Sequence, residues 1–374
     1  MPATLTENER PACLRKVYRT LTYLVGIGCL IGCSQMGPSF IEGSRTDYNI
    51  VMGKTESEQM LLNLVRLRYG DAPYFLEATA LNTQFLLTPT AEAGSTFDLD
   101  GTATYSIKGK LAYEEKPTVT YSPLRGEDFV RQILSRISLE TILLLDSSGW
   151  STERVIRLCV ENMNGADNAS KASGPTPSYP PDTGIFNEAV NILASLESEN
   201  GLSIKERVNK DIPSKYVMFL SQAEHHRSRV KKLRKILDIK GSAKEIDLLE
   251  SGDKNTADSI NFQTRSFMGV MYFLAQSVDV PEEHYQTKKI AVTALPDGSI
   301  FDWQTVTGSL AKIHSAKAKP PDPAISINYR DTWFYVADDD IRTKSTFQLL
   351  GQLFALQSRN QKGTTPLLTL PIGG

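Results

Sequence analysis

Three consecutive acids, Asp338, Asp339 and Asp340, form the most conspicuous polar cluster in the sequence. Calcium and magnesium favour several carboxylate or carbonyl oxygens, so a run of acids is compatible with a cation site. The sequence lacks the alternating acids, glycine and terminal glutamate of a calcium-binding helix–loop–helix. The run also precedes a segment with helical periodicity, and negative charge is favourable at a helix N-terminus. We therefore expect these acids to end a strand and cap the next helix.

The histidines form no recognisable zinc motif. A zinc site on a helix typically uses two histidines four positions apart, whereas neighbouring helical residues point about 100° apart and cannot share a face. No HExxH or CxxC sequence occurs. The sequence therefore predicts no metal and no cofactor. The four histidines are His225, His226, His284 and His314.

Covalent catalysis needs a nucleophile on a strained turn, and the sequence contains no Gly-x-Ser-x-Gly and no glycine-rich phosphate loop. Cys159 lies in the helical stretch "RVIRLCVENM" without a neighbouring base, so we expect a small buried apolar residue. Paired carboxylates that cleave sugars need only to lie close together in the fold. The sequence thus favours a protein without enzymatic activity and leaves open an envelope hydrolase that uses carboxylates.

The N-terminal segment has the layout of a secretory signal. Arg15, Lys16 and Arg19 precede an apolar run of thirteen residues, Thr20 to Gly32. A membrane-spanning helix needs roughly 20 apolar residues, whereas the core of a signal peptide has about 7–15. We therefore predict that residues 1–32 are a cleaved signal peptide.

The run ends in "LIGC", which resembles the bacterial lipobox and makes Cys33 the predicted site of lipidation. Cys29 is the competing cysteine, but Gly26 occupies the position three before it, where a branched apolar residue fits better. The Cys33 thiol would receive diacylglycerol, and further acyl chains such as palmitate would strengthen the membrane anchor. By resemblance to lipoproteins of double-membraned bacteria, Ser34 implies the outer membrane, with the body facing the periplasm.

The composition is that of a folded body. The 374 residues carry a formal net charge of −2, which argues against bulk nucleic-acid binding. The hydrophobic fraction of 40% is sufficient for a packed core. A stretch rich in proline and serine, residues 165–183, predicts a linker or long loop. It separates an N-terminal region, 33–164, from a C-terminal region, 184–374, and the two regions are also compatible with packing as one unit.

Periodicity in the N-terminal region predicts a helix over "TESEQMLLNLVRLRYG", beginning near Glu56. Alternating stretches then predict strands, with turns at Gly109 and at residues 115–117. Two helices follow, in "GEDFVRQILSRISLETILLL" and "STERVIRLCVENMN".

The C-terminal region mixes helices and short strands in the same way. A run that is apolar on nearly every face, Arg265 to Ser277, predicts a helix buried in the core. Further on, "AISINYRDTWFYVADDD" predicts a tight hairpin that turns at Arg330 and Asp331. The predicted fold class is α+β, with helices packed on antiparallel β-sheet and a C-terminal β-hairpin followed by a long helix.

A basic helix, "EHHRSRVKKLRKIL", includes Lys231 and Lys232 and is compatible with contact to anionic lipid or lipopolysaccharide. Apolar residues interleave with the basic ones, which is equally typical of a solvated helix face. The sequence leaves both interpretations open.

Four stretches resemble an uncharacterised family of bacterial outer-membrane lipoproteins, or hypothetical envelope proteins. They are "EQMLLNLVRLRYGDAPYF", "SGWSTERVIRLCVENMNG", "RSFMGVMYFLAQSVDVP" and "YRDTWFYVADDDIRTKSTFQLLGQLFALQ". The resemblance implies a lipoprotein and assigns no site residue. We therefore expect a non-enzymatic interaction or envelope-assembly protein with an envelope protein as partner; the alternatives are a carboxylate hydrolase and a lipid- or lipopolysaccharide-binding protein.

Overall fold

A computed structural model describes residues 36–97, 103–175, 177, 179–207, 215–251 and 256–358. The chain divides into two compact units, Met1–Glu58 and Gln59–Gly374. Every described residue of the first unit lies in one helix, whose last turns belong to the second unit. The predicted signal peptide and Cys33 lie outside the described residues.

The described residues form ten helices and eleven strands. The helices are α1 (Met36–Arg68), α2 (Glu127–Leu134), α3 (Leu139–Ser147), α4 (Thr152–Cys159), α5 (Gly184–Ser198), α6 (Glu224–Ile236), α7 (Phe267–Ala275), α8 (Glu282–Gln286), α9 (Gln304–Thr307) and α10 (Ile341–Ser358). The strands are β1 (Leu76–Phe97), β2 (Ala103–Pro123), β3 (Val160–Met163), β4 (Ala166–Asp167), β5 (Leu202–Glu206), β6 (Tyr216–Leu220), β7 (Glu245–Glu250), β8 (Ser259–Thr264), β9 (His314–Ala316), β10 (Pro323–Tyr329) and β11 (Thr332–Ala337).

The strands form three sheets in the described part of the chain. The largest has six strands in the order β4-β3-β8-β7-β6-β5, and all its neighbours are antiparallel except β7 and β8. A three-stranded sheet has the order β10-β11-β9, and β1 pairs with β2 alone. The α+β class is confirmed, and so is the C-terminal hairpin followed by a long helix.

The six-stranded sheet takes strands from both sides of residues 165–183. Strand β3 precedes this segment and β8 follows it, yet the two pair directly. Within the segment, β4 joins the same sheet, and Ala169 and Ala172 are buried in the core. The N-terminal and C-terminal regions therefore share one core within the second unit.

Helix α7 lies at the centre of that core, as its apolar sequence predicts. Eight of its nine residues are buried, and the hydroxyl of Ser266 accepts a hydrogen bond from the Gly269 amide at 3.0 Å to cap its first turn. A helix that is apolar on every side can lie only in a core, because no face of it is suited to water.

Arg265, directly before α7, is a fully buried cation, and none of the described carboxylates forms a salt bridge with it. Its guanidinium donates to the carbonyl oxygens of Leu158 at 3.0 Å, Val160 at 2.8 Å and Asn168. The last carbonyls of a helix have no intrahelical donor, so Arg265 closes the C-terminus of α4. Burial lowers the pKa of Arg265 to about 10, which still leaves it charged at neutral pH.

Helix α1 begins at Met36, twenty residues before the predicted start near Glu56. Two hydroxyl groups near the predicted start form hydrogen bonds inside the helix. Thr55 donates to the Met52 carbonyl at 2.9 Å, and Ser57 donates to the Gly53 carbonyl at 3.0 Å. Hydroxyls that bond back to a preceding carbonyl do not cap a helix, so the predicted start was wrong.

The C-terminal hairpin turns where the sequence predicts. Tyr329 pairs with Thr332, and the two residues between them, Arg330 and Asp331, both have positive φ angles of 52° and 61°. Two successive positive φ values define the tight turn that matches the right-handed twist of paired strands.

Candidate interaction surface

Strands β1 and β2 form a long two-stranded ribbon, called the ribbon below. At about 3.3 Å per residue, the 22 residues of β1 extend over roughly 70 Å. Among the described residues, no third strand joins either edge. A two-stranded hairpin is marginally stable in water by itself, so its faces are suited to a partner.

The turns predicted at Gly109 and at residues 115–117 are absent. Gly109 pairs with Ala91 and Glu115 pairs with Phe85, so β2 continues through both positions. A turn-forming residue stays extended when its neighbours on both sides have partners in one ladder. That pairing depends on residues eighteen or more positions away, which local sequence does not reveal.

The root of the ribbon is the end at which it leaves the body, residues 74–76 and 123–124. A bulge near this root changes which face of the ribbon the following side chains occupy. The register shifts between Ala78 and Ala80, where Thr79 has no cross-strand partner and donates its hydroxyl to the Thr120 carbonyl at 3.3 Å. Because successive residues of a strand alternate faces, one extra residue moves Leu81 onto the face of Ala78. We define the apolar face by five residues: Leu76, Ala78, Leu81, Val119 and Tyr121.

The apolar face is exposed to solvent. Leu76, Leu81 and Tyr121 retain 37%, 39% and 49% of their accessible surface. The opposite, polar face carries exposed Glu114 and Lys116, whose charged groups lie 3.3 Å apart. The ribbon is therefore amphipathic, and its apolar side has no cover within the described part of the chain.

Beyond the bulge, the pairing of the two strands is regular. Odd-numbered residues of β1 pair with odd-numbered residues of β2 from Leu81 and Val119 outward. In the sequence, these positions are mostly apolar or small, with Glu115 as the one charged residue. The even-numbered positions of the same stretch hold Glu92, Lys108, Lys110, Glu114 and Lys116.

The root of the ribbon is fixed to the end of α1 by two carboxamide side chains. Asn63 donates to the Tyr74 carbonyl at 2.9 Å and accepts from the Tyr74 amide at 2.9 Å. Gln59 bonds the Leu76 carbonyl and amide in the same way, at 3.1 and 2.7 Å. These four bonds satisfy backbone groups that a sheet would otherwise pair.

An aromatic cluster surrounds Phe75, a buried residue of the root. Phe75 is buried and stacks on Phe354 of α10 with ring centroids 5.0 Å apart. Phe129 and Phe267 contact the same ring at 6.0 and 6.2 Å. Across the ribbon, the Leu124 amide donates to the Phe75 carbonyl at 3.0 Å. The ribbon therefore begins from a rigid part of the core.

A polar network holds the loop between α1 and the ribbon. Tyr329 donates to Asp71 Oδ2 at 2.5 Å, and Arg330 pairs with the same oxygen at 2.8 Å. The hydrogen bond from Tyr329, helped by Arg330, lowers the pKa of Asp71. The C-terminal hairpin thus fixes the approach to the ribbon.

A buried Tyr–His pair lies beside this network. The Tyr69 hydroxyl lies 2.6 Å from Nδ1 of His284, and burial raises the pKa of Tyr69 to about 12. Burial also lowers the pKa of His284, so the neutral ring accepts the phenolic proton. The two side chains retain only 6% and 5% exposure, so the contact supports packing and offers no route to a substrate.

The three acids end a strand and begin a helix, as expected. Asp340 accepts from the Thr343 amide at 2.9 Å and so caps α10. Asp338 pairs with Lys344 at 2.8 Å. Asp340 therefore caps a helix, and Asp338 forms an ion pair with a lysine.

The adjacent histidines lie closer than the helix argument predicted. The ring centroids of His225 and His226 are 3.8 Å apart, and Glu199 supplies a third potential metal ligand. Arg229, however, binds both oxygens of Glu199 at 2.6 and 2.5 Å and lies 3.1 Å from His226 Nδ1. A guanidinium in this position repels a metal cation.

Several basic side chains of helix α6 form ion pairs with carboxylates of the same protein. Arg229 pairs with Glu199, Lys232 with Glu188, and Arg234 with Asp258. Lys231 is exposed on the same helix. These pairs leave less charge for an anionic lipid than the sequence suggests.

Cys159 is fully buried at the end of α4, and burial raises the pKa of its thiol to about 12. This agrees with a small apolar residue, since a reactive cysteine requires a thiolate.

Two carboxylates do meet in the structure, and the sequence did not single them out. Asp146 of α3 and Glu197 of α5 both contact the hydroxyl of Thr152. Burial, and after it the nearby Asp146, raises the pKa of Glu197. The two acids come from helices about fifty residues apart, so only packing brings them together.

The described residues thus define an α+β body with an amphipathic ribbon. Among them, no helix combines the length and apolarity needed to cross a bilayer. Comparisons of the chain with protein-family models, with curated proteins and with solved structures find no significant match. The resemblance to envelope lipoproteins therefore stays a prediction.

Proposed function

We propose that this chain is an outer-membrane lipoprotein, anchored through Cys33, whose body acts in the periplasm by protein–protein contact. The ribbon carries the proposal. It combines a root held by core packing with an apolar face on which Leu76, Leu81 and Tyr121 are exposed. Exposed apolar surface of this kind marks interaction sites in soluble bodies.

The rigidity of the root supports binding. A surface that is already ordered loses little conformational entropy when a partner docks. The hydrogen bonds of Asn63 and Gln59 and the stacking of Phe75 supply that order at the point where the ribbon leaves the body.

The anchor is tested by metabolic labelling with a fatty-acid probe. The Cys33→Ala variant loses the label, and the matched Cys29→Ala variant keeps it. Equal labelling of wild type and Cys33→Ala contradicts the anchor.

The role of the ribbon is tested by shortening it in the full chain. Residues 83–117 are replaced by Asn-Gly, which favours a tight turn between paired strands. The shortened chain also carries Leu81→Lys and Tyr121→Lys, which place charge on the apolar face, while the root remains. We expect crosslinked complexes recovered from membranes to be lost from this variant, while its thermal unfolding stays close to wild type. Complexes that survive the shortening contradict a function that depends on the ribbon.

An envelope hydrolase is the second candidate, favoured by the contact between Asp146 and Glu197. A carboxylic acid with a raised pKa is suited to donate a proton. The two carboxylates share one hydroxyl, which is closer than the roughly 5–10 Å separation that glycoside cleavage uses. Hydrolysis of purified peptidoglycan by wild type, abolished in Glu197→Gln and Asp146→Asn, would support this candidate over the first.

A further inference from the structure

We propose that Glu199, His225 and His226 bind a zinc ion in exchange for the guanidinium of Arg229. Each of the three side chains offers one ligand atom, and these atoms all lie within 4.8 Å of one another. Two imidazole nitrogens and a carboxylate oxygen are a typical ligand set for zinc, with a water molecule in the fourth position. The site shares no residue with the ribbon, so the inference does not depend on the proposed function.

The separation of the ligand atoms suits a single ion. Bonds of about 2.0–2.1 Å in a tetrahedral arrangement place neighbouring ligand atoms roughly 3.4 Å apart. Nδ1 of His226 lies 3.7 Å from Oε2 of Glu199, so this pair needs only a small adjustment. The ring of His225 lies 3.8 Å from that of His226, measured between centroids. Because His225 is exposed, its ring can turn toward the ion without leaving a packed position.

The side chains that hold Arg229 present the lone pairs that a metal requires. A guanidinium only donates hydrogen bonds, so Nδ1 of His226, 3.1 Å from Nη2 of Arg229, is the acceptor. Both carboxylate oxygens of Glu199 also accept from Arg229, at 2.6 and 2.5 Å. These lone pairs are therefore already directed at a cation, and zinc would use the same atoms.

The surrounding fold fixes the inner ligands. His226 is only 2% exposed, and a Cβ atom at Gly201 would come within 3.0 Å of Cε1 of its ring. The glycine therefore leaves room for the ring beside Glu199. Glu199 is the C-cap of α5, where the negative end of the helix dipole favours a cation. This offsets the positive end of α6, to whose first turn both histidines belong.

Arg229 and zinc exclude each other, because two cations repel strongly at this distance. The side chains of Arg229 and Glu199 are 28% and 46% exposed, so water can solvate both groups when the pair separates. Ion pairs that water reaches contribute little to stability. Arg229 can therefore move into solvent, and its competition lowers the affinity for zinc without closing the site.

Titration calorimetry of the detergent-solubilised full chain with zinc chloride tests the exchange. We expect one ion per chain for wild type and at least tenfold tighter binding for Arg229→Gln, because the competing guanidinium is removed. The matched variant Arg227→Gln, which only removes an exposed pair with Glu224, should bind zinc like wild type. Magnesium chloride should give no binding, since magnesium prefers oxygen ligands.

The ligands are identified in the Arg229→Gln background, where competition by the guanidinium is absent. Adding His225→Gln or Glu199→Gln should weaken zinc binding at least tenfold. Adding Glu188→Gln, on the same helix as Glu199, should not change it. X-ray absorption of the zinc complex should show imidazole nitrogens at about 2.0–2.1 Å from the metal.

Three results overturn the inference. Zinc affinity that stays equal or falls in Arg229→Gln contradicts the exchange. Affinity that is insensitive to His225→Gln and Glu199→Gln places the zinc elsewhere. Absence of zinc binding in folded wild type and folded Arg229→Gln, checked by thermal unfolding, removes the site altogether. If Arg229→Gln fails to fold, wild type and His225→Gln still decide, because His225 is exposed and its replacement should leave the fold intact.

Discussion

The carboxamide of Asn63 pairs with both backbone groups of Tyr74, accepting from its amide and donating to its carbonyl, each at 2.9 Å. A side chain of α1 thereby replaces the strand that would otherwise neighbour the root of the ribbon. Asn63 is fully buried, so water cannot substitute for these bonds if the side chain is removed.

We expect Asn63→Ala to lower the free energy of unfolding by about 2–3 kcal/mol, because it leaves two backbone groups of Tyr74 unsatisfied. Chemical denaturation measures the loss, and hydrogen exchange at the Tyr74 amide should accelerate. Asn82→Ala, on the exposed polar face, should change stability by about 0.5 kcal/mol or less. Equal effects of the two substitutions would contradict the role of Asn63.

Removal of the buried ring at the root should have a larger effect. Phe75→Ala is expected to cost about 3–5 kcal/mol, since it removes the contacts with Phe354, Phe129 and Phe267 and leaves a cavity. Leu76→Ala, at the next position and partly exposed, should cost less than half as much. Denaturant titration of both variants decides whether the aromatic cluster anchors the ribbon.

Arg265→Lys should destabilise the protein by about 3 kcal/mol or more. A lysine carries the charge but lacks the planar fork that reaches the carbonyls of Leu158, Val160 and Asn168 at once. Arg131→Lys, in an exposed pair with Glu127, should change stability by at most about 0.5 kcal/mol. Similar midpoints for the two variants in urea would refute the capping role.

The free energy of unfolding should fall as the pH decreases from 7 to 5. Burial lowers the pKa of His284 below its ordinary value of 6.5, so the unfolded chain binds a proton more readily than the folded one. The stabilisation is present above pH 6.5 and is lost as the pH falls toward the folded pKa. His284→Gln should flatten this dependence, with His226 retaining the remainder because its pKa is also lowered.

Tyr69→Phe distinguishes burial from hydrogen bonding at this pair. It removes the hydroxyl that contacts His284 and should cost about 1 kcal/mol at pH 7. The slope with pH should persist, because burial is the main cause of the lowered pKa. A slope that disappears in Tyr69→Phe would assign the effect to the hydrogen bond instead.

Glu197 should give the opposite pH dependence. Its raised folded pKa means that the folded chain binds a proton more readily, so its contribution is present below pH 4.5 and is lost as the pH rises through the raised value. Glu197→Gln should therefore gain stability relative to wild type between pH 4 and pH 7. Glu188→Gln on the same helix, which only removes the pair with Lys232, should show no such gain.

Much of the fold can be predicted from local sequence. The apolar stretch around α7 predicted a buried helix, because a segment without a polar face is stable only inside a core. The turn at Arg330 and Asp331 and the capping role of Asp340 also followed from the order of residue types along the chain. In each case the interacting groups lie within a few residues of each other.

The candidate site depended on contacts that local sequence does not contain. The turns predicted at Gly109 and at residues 115–117 failed because β1 pairs with β2 over its whole length. The meeting of Asp146 with Glu197 also arises from packing.

By itself, the sequence determined the α+β class, the buried helix and the C-terminal hairpin, since these depend on periodicity and on the conformations that neighbouring residues allow. Tertiary structure decided that two alternating stretches form one continuous ribbon and that a bulge at Thr79 gathers its apolar residues on one face. It also decided that this face stays exposed while Phe75, at the root, is buried. The physical reason is that strand register and burial are set by partners distant in the chain, whose positions exist only after folding.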